Sequence, residues 1–180
     1  MARLNIMIVL LIVTVSSMAT EYDPLLLKTQ ASIFPKIILL DKDVESKLES
    51  DKIVISIVYS ENDFENAIRL KNLIEDSYKK NLANKVLLVR LVDFREFEKE
   101  NIATAYYLMQ GEPDVHKSIT SHAGKNRRVC FSYNYKDFEN NALISLLIKE
   151  KTYIYLNKSA VHAYDIKFNP MFYKIVKVLE

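Results

Sequence analysis

Cysteine, glycine, histidine and tryptophan are nearly missing from this chain, and each scarcity removes a class of function. One cysteine, Cys130, in 180 residues excludes an intramolecular disulfide framework and a thiolate zinc site. Two glycines exclude collagen-like repeats, Gly-rich linkers and Gly-rich phosphate loops; Gly124-Lys125 is followed by Asn126 rather than Ser or Thr. Of the three histidines, His116 and His122 stand at i and i+6, off a common helix face, and His162 is alone, so neither a metal site nor a cofactor is expected. No charge of one sign dominates: 25 Lys+Arg balance 23 Asp+Glu, so the basic field that nucleic-acid binding needs is absent.

What is present is enough for one ordinary folded domain, with 49% hydrophobic and 27% charged residues. The first nineteen residues read as a secretory signal peptide. Arg3 gives a positive n-region, Ile6 to Val15 an apolar h-region, and Ser17 and Ala19 the small-x-small pattern for cleavage after Ala19. The competing reading is a retained anchor, but a spanning helix wants about 20 apolar residues, and Thr14, Ser16 and Ser17 interrupt this run. The expected layout is a signal peptide over 1–19 and a single domain over 20–180. That domain has no further membrane span, so the exported product is expected in the periplasm.

Along the mature chain, Asp23 and Pro24 predict the start of a helix over Leu25 to Phe34, kinked or restarted at Pro35 and continued from Lys36 to Leu48. Lys52 to Tyr59 is β-branched and apolar throughout, the pattern of a strand buried on both faces. Glu61 to Lys80 has helical spacing, and Lys85 to Val92 is a second strand, which makes a βαβ unit. Ile102 to Met109 and Arg127 to Tyr133 read as further strands around a short helix, Pro113 to Ala123, with Gly124 as its C′ residue. Ala142 to Lys149 and Thr152 to Leu156 read as an antiparallel pair. Asn157 then caps a helix over Lys158 to Tyr164. Pro170 opens a last helix with Phe172, Ile175, Val176 and Leu179 on one face. The alternation predicts a three-layer Rossmann-like or flavodoxin-like α/β domain, mostly parallel, with an antiparallel edge pair near the C-terminus. Asn62 to Ala67 (NDFENA) and Asp137 to Ala142 (DFENNA) are similar, which the capping preference of Asp before an apolar run explains.

No catalytic set stands out. Cys130 lies in the apolar run Val129-Cys130-Phe131 and reads as a small core residue, although Arg127 and Arg128 precede it. Asp93, Glu96, Glu98 and Glu100 alternate with Arg95 and Lys99 as a solvated face. Lys125, Arg127 and Arg128 form a compact basic cluster, either plain surface or a contact for an acidic partner. Phe131, Tyr133 and Tyr135 alternate, and are read either as core or as an exposed docking ledge.

The order of parts resembles the YfiR-like family of bacterial periplasmic proteins. The residues that carry the resemblance are AlaSerIlePheProLysIle at Ala31 to Ile37, Ser132, Asp137-Phe138, Ile144-Ser145-Leu146, Tyr153 to Asn157, Ala160, Phe168 and Phe172. The resemblance implies a non-enzymatic regulator. Such a protein binds and represses the periplasmic sensor domain of an inner-membrane signalling protein, a diguanylate cyclase in cyclic-di-GMP signalling. It implies release by an outer-membrane lipoprotein and a homodimer. The chain departs from the family in its lone Cys130, which leaves no intramolecular disulfide control, and in Phe34-Pro35 where Trp-Pro is common. The partner-binding residues expected on this reading are Leu25, Leu26, Ile33 and Phe34 on the first helix, Arg127 and Arg128, and Tyr133 and Tyr135. The alternative is a periplasmic protein that binds or senses a small molecule in a crevice at the strand carboxyl ends.

Overall fold

The computed structural model describes residues 21–97 and 102–179. The signal-peptide reading of residues 1–19 and the carboxylates of Glu98 and Glu100 lie outside them.

The first helix, α1 (Pro24–Ile38), starts as its sequence predicts. Asp23 Oδ1 accepts from the N–H groups of Leu25 (2.8 Å) and Leu26 (3.3 Å), and Pro24 occupies the first turn, where no N–H is needed. The helix does not restart at Pro35, and it does not continue to Leu48. It runs through the proline and ends at Ile38, followed by a single 3-10 turn over Val44–Lys47. An interior proline costs about 3 kcal/mol. Burial of Phe34, Ile37 and Ile38 beside it offsets that cost.

Strand β1 (Lys52–Tyr59) is followed by helix α2 (Phe64–Tyr78) and strand β3 (Lys85–Asp93). Between them lies a two-residue strand that the sequence pattern did not show, β2 (Asn81–Leu82), paired antiparallel with β3. Its turn, Ala83-Asn84, has positive φ at both residues (50° and 64°), the conformation of a tight hairpin usually marked by glycine. Strand β4 (Ala105–Leu108), helix α3 (Pro113–Lys125) and strand β5 (Val129–Ser132) come next. The antiparallel pair is β6 (Ile144–Ile148) with β7 (Thr152–Asn157). Asn157 caps α4 (Lys158–Tyr164) by accepting from the Ala160 N–H at 3.0 Å.

The predicted last helix is only one turn, α5 (Pro170–Tyr173). Val176–Leu179 is strand β8, parallel to β7. The i, i+3, i+4 spacing of Phe172, Ile175 and Val176 suggests a helix, but β-branched residues beside an open strand edge favour pairing. Phe172 is fully buried, whereas Ile175 is 61% exposed.

Among the described residues the strands form one sheet in the order β2-β3-β1-β4-β5-β6-β7-β8. The run β3-β1-β4-β5-β6 is parallel. Strand order therefore reverses between β1 and β4, the flavodoxin-like arrangement with its switch point there. Alternation along β1 sends Ile53, Ile55 and Ile57 into a core with α1 and α2, and Val54 and Val58 into a second core with α3. This is the three-layer α/β domain expected.

Gly124 is not the C′ residue of α3. Arg127 takes that place, with φ 53°, and the helix closes through Arg127 N–H to Gly124 O (3.0 Å) and Arg128 N–H to Ala123 O (2.8 Å). Gly124 is instead a packing residue: a Cβ there would lie 2.4 Å from the ring of Tyr164. That ring is buried and its hydroxyl donates to Asn141 O at 2.7 Å, so it cannot swing aside freely. Gly124→Ala is expected to destabilise the domain by about 1–3 kcal/mol, read as a lower midpoint in urea with an unchanged slope.

Candidate functional site

The carboxyl ends of β1, β4 and β5 frame a crevice of about 510 Å³ at the switch point. Val58, Tyr59, Phe94, Leu108, Val115 and Ile119 form its apolar wall. Its polar side comes from the three segments that leave those strands: Ser60, Asn62 and Asp63 after β1; Gln110 and Glu112, with His116 of α3, after β4; and Asn134 and Asp137 after β5.

Asp63 sits in the 3-10 turn that joins β1 to α2 and is 2% exposed. Ser60 Oγ donates to its Oδ2 at 2.5 Å. Its Oδ1 is buried, and the carboxylate also lies within hydrogen-bonding reach of the Tyr22 hydroxyl. Tyr22 packs against Tyr133 with the two rings tilted by 54° and their centres 4.5 Å apart, and its hydroxyl accepts from the Gln110 N–H at 2.7 Å. Burial, and to a lesser extent the Asp63 carboxylate, pushes the Tyr22 phenol far above its ordinary range.

Asp137 is held by Ser132 and lies beside His116. Ser132 Oγ donates to its Oδ2, and His116 Nδ1 lies 3.2 Å from its Oδ1 without hydrogen-bond geometry. His116 Nε2 lies 3.0 Å from the Met109 carbonyl, which only accepts, so the ring proton is assigned to Nε2. Gly111 permits this packing, since a Cβ there would stand 3.0 Å from His116 Nε2.

Asp63 and Asp137 are the leading acids of the two similar segments, Asp-Phe-Glu-Asn at 63–66 and at 137–140. Each segment follows a parallel strand, and neither aspartate makes the helix-capping hydrogen bond that the sequence suggested, so the fold places two carboxylates on one crevice. That similarity, read with the carboxyl-end rule, was the available signal; the His116–His122 spacing was not. His122 is buried elsewhere, its Nε2 3.1 Å from the Tyr106 hydroxyl. No three His, Cys, Asp or Glu side chains come together for a metal among the described residues.

The residues expected to bind a partner are dispersed. Phe34 is 2% exposed and stacks on Phe131 at 4.4 Å, so the first helix turns that residue into the core; Leu26 and Ile33 are half-buried and Leu25 is exposed. Tyr133 is buried, its hydroxyl accepting from the Asp23 N–H at 2.7 Å, while Tyr135 is exposed beside Tyr155. No shared ledge results, because β5 ends at Ser132 and the alternation ends with it. Arg127 pairs with Asp165 at 3.0 Å, and burial draws Arg128 below its ordinary pKa. Both precede β5, at the end of the sheet away from the crevice.

The Asp93 carboxyl is held below the usual range by hydrogen bonds from Arg95, which also reaches Glu61 at 3.0 Å. Cys130 is wholly buried, and burial pushes its thiol far up. The folded protein is therefore expected to resist iodoacetamide, with labelling appearing only through the unfolding transition measured by circular dichroism.

No family model and no curated protein matches the chain. Solved structures share its fold. A conserved domain protein from Vibrio cholerae O1 biovar El Tor strain N16961 superposes with a TM-score of 0.59 at 12% identity, over 89% of this chain. The ABC domain in complex with L-Trp from Streptococcus pneumonia superposes with a TM-score of 0.51 at 11% identity, over 80% of this chain. The chain spans 62% of the length of each. At these identities the likeness is one of fold, and it agrees with the α/β architecture above.

Proposed function

We propose that this chain is a small-molecule-binding module whose ligand occupies the crevice between the carboxyl ends of β1, β4 and β5. The observation that carries the proposal is the convergence there of polar side chains from three separate strand ends against an apolar wall. The volume suits a metabolite of amino-acid size. The pneumococcal domain of similar fold was captured with L-Trp, which supports a binding role for such a scaffold. No residue is assigned a catalytic role. The test is a thermal-shift screen of the mature chain against metabolites. A ligand that raises the midpoint, with the rise abolished by Leu108→Trp in the crevice wall, supports the reading. A ligand whose effect survives that substitution overturns it.

The finer proposal is regulatory. The N-terminal sequence and the YfiR-like order of parts support an exported protein that reports to an inner-membrane signalling protein, with occupancy shifting the population of the state that binds the partner. Exposed apolar residues at the C-terminal edge, Met171, Tyr173, Ile175 and Val178, support a protein contact there rather than on α1. Co-purification of the tagged chain with an inner-membrane sensor protein is the expected result. Recovery of the chain alone from gently solubilised membranes contradicts it.

A further inference from the structure

At the end of the sheet away from the crevice, Arg128 is a cation without an anion. Arg90, Arg95 and Arg127 each pair with a carboxylate, on Glu49, Asp93 and Asp165, and Arg69 is exposed to water. Arg128 is half-buried, and its Nε and Nη1 are sealed from solvent with no hydrogen-bond partner. Asp41 acts on it electrostatically, but that carboxylate is already held by Lys47 and by the Asp43 N–H. Lys47 and Arg128, both drawn into the protein, therefore share one buried acid. Leaving such a charge uncompensated is costly, and native proteins rarely do so without a use for it.

The open edge of this guanidinium is Nη2, and Arg128 lines a pocket of about 370 Å³ there. Three separate segments build the pocket: the 3-10 turn before β1 gives Ser46 and Lys47, the end of α3 gives Asn126 and Arg127, and the stretch before α5 gives Lys167. Asp43 is the only acid in the lining, and the exposed Lys167 offsets it. Lys47 is answered by Asp41 and Arg127 by Asp165, which leaves the charge of Arg128 uncancelled. The carboxyl end of α3 adjoins the pocket, and a helix end of that sign repels anions. Here the carbonyls of Ala123 and Gly124 are already taken by the N–H groups of Arg128 (2.8 Å) and Arg127 (3.0 Å).

We propose that this pocket binds a phosphate group, which accepts from Arg128 Nη2 and from the Lys167 ammonium and Asn126 amide beside it. A phosphate suits the site better than a lone carboxylate, because its oxygens accept from several directions and the donors come from different segments. The site is independent of the crevice. Leu108→Trp should leave phosphate binding unchanged, and phosphate present throughout the metabolite screen keeps the two sites apart.

The test is calorimetric titration of the mature chain with inorganic phosphate, glycerol phosphate and acetate, at an ionic strength held constant with sodium chloride. The expected result is binding of the first two and not of acetate. Arg128→Met should weaken that binding by at least about tenfold, and Lys167→Ala, at an exposed position, by about threefold. Tighter binding of the ester identifies a phosphorylated metabolite as the ligand; binding of inorganic phosphate at least as tight identifies the free anion. In phosphate-free buffer Arg128→Met should melt no lower than the parent, because it removes an uncompensated charge. Absence of binding beyond the chloride control, acetate bound as tightly as phosphate, or phosphate binding unchanged by both substitutions overturns the proposal. So does an Arg128→Met protein that melts lower in phosphate-free buffer while Lys167→Ala binds phosphate like the parent.

Discussion

Asp41→Ala is expected to destabilise the domain by about 3–5 kcal/mol, because it leaves the Lys47 ammonium buried without its counterion. Asp41 is 2% exposed and Lys47 6%. Lys47 Nζ donates to Asp41 Oδ2, and the Asp43 N–H donates to Oδ1 at 3.0 Å. The pair holds the chain just after α1 against the C-terminal segment: Asp41 bridges Phe168, the Lys42 N–H donates to Lys167 O at 2.8 Å, and the Asn169 N–H donates to Leu40 O at 2.7 Å. Breaking a buried pair costs far more than never having had it. The combined variant Asp41→Asn with Lys47→Met, which keeps an acceptor for Asp43 and removes the buried charge, should recover most of the loss. Urea denaturation of the three proteins measures both numbers. A single variant as stable as the parent would show that the ammonium finds water.

Phe172→Ala is expected to cost a similar amount, about 3–5 kcal/mol, and to lower the melting temperature by roughly 10 °C. Phe172 is fully buried although it belongs to a one-turn helix near the end of the described chain. Its ring packs on Phe168 at 4.7 Å. A helix of four residues has no stability of its own. Tertiary packing of Phe172 therefore holds α5, and α5 in turn places β8 beside β7. Tyr173→Ala, at a ring 43% exposed, serves as the control and should cost much less. Loss of β8 exchange protection in Phe172→Ala, ahead of the rest of the sheet, is the accompanying hydrogen-exchange signature. Uniform protection across β1, β4 and β8 in that variant would contradict the anchoring role.

Those two sites mark where sequence pattern succeeds and where it stops. Lys52 to Tyr59 announces β1 because a strand buried on both faces needs an unbroken β-branched run. Asn157 announces α4 because capping is local chemistry. The fate of Val176 to Leu179 is not local: it depends on the open edge of β7, whose own position depends on the β6–β7 turn. Helix and strand readings of such a short apolar run are equally good until that edge exists. Left-handed turns were hidden for a related reason. Neither glycine takes a positive φ, whereas Ser50, Asp51, Ala83 and Asn84 do, so the usual punctuation marks are missing.

The crevice was legible in principle and was missed in its particulars. A carboxyl-end site follows from the β/α alternation, but its residues depend on strand order. Asp63 and Asp137 are 74 positions apart and meet only because β1, β4 and β5 are adjacent in the sheet. The exposed surfaces were harder. Phe34 and Tyr133 are as apolar as any docking residue, and only packing shows that Phe131, Tyr22 and the Asp23 N–H already occupy them.

That a ligand enters the crevice at the carboxyl ends of β1, β4 and β5 is tested by mapping amide chemical shifts of the mature chain during titration with the metabolite that most raises its melting midpoint in the thermal-shift screen. The expected result is shifts concentrated at Ser60 to Asp63, Gln110 to His116 and Asn134 to Asp137, and their disappearance in Leu108→Trp. Shifts confined to Lys125 to Arg128 at the opposite end of the sheet, or to the β8 edge, with those three segments unmoved, would contradict it.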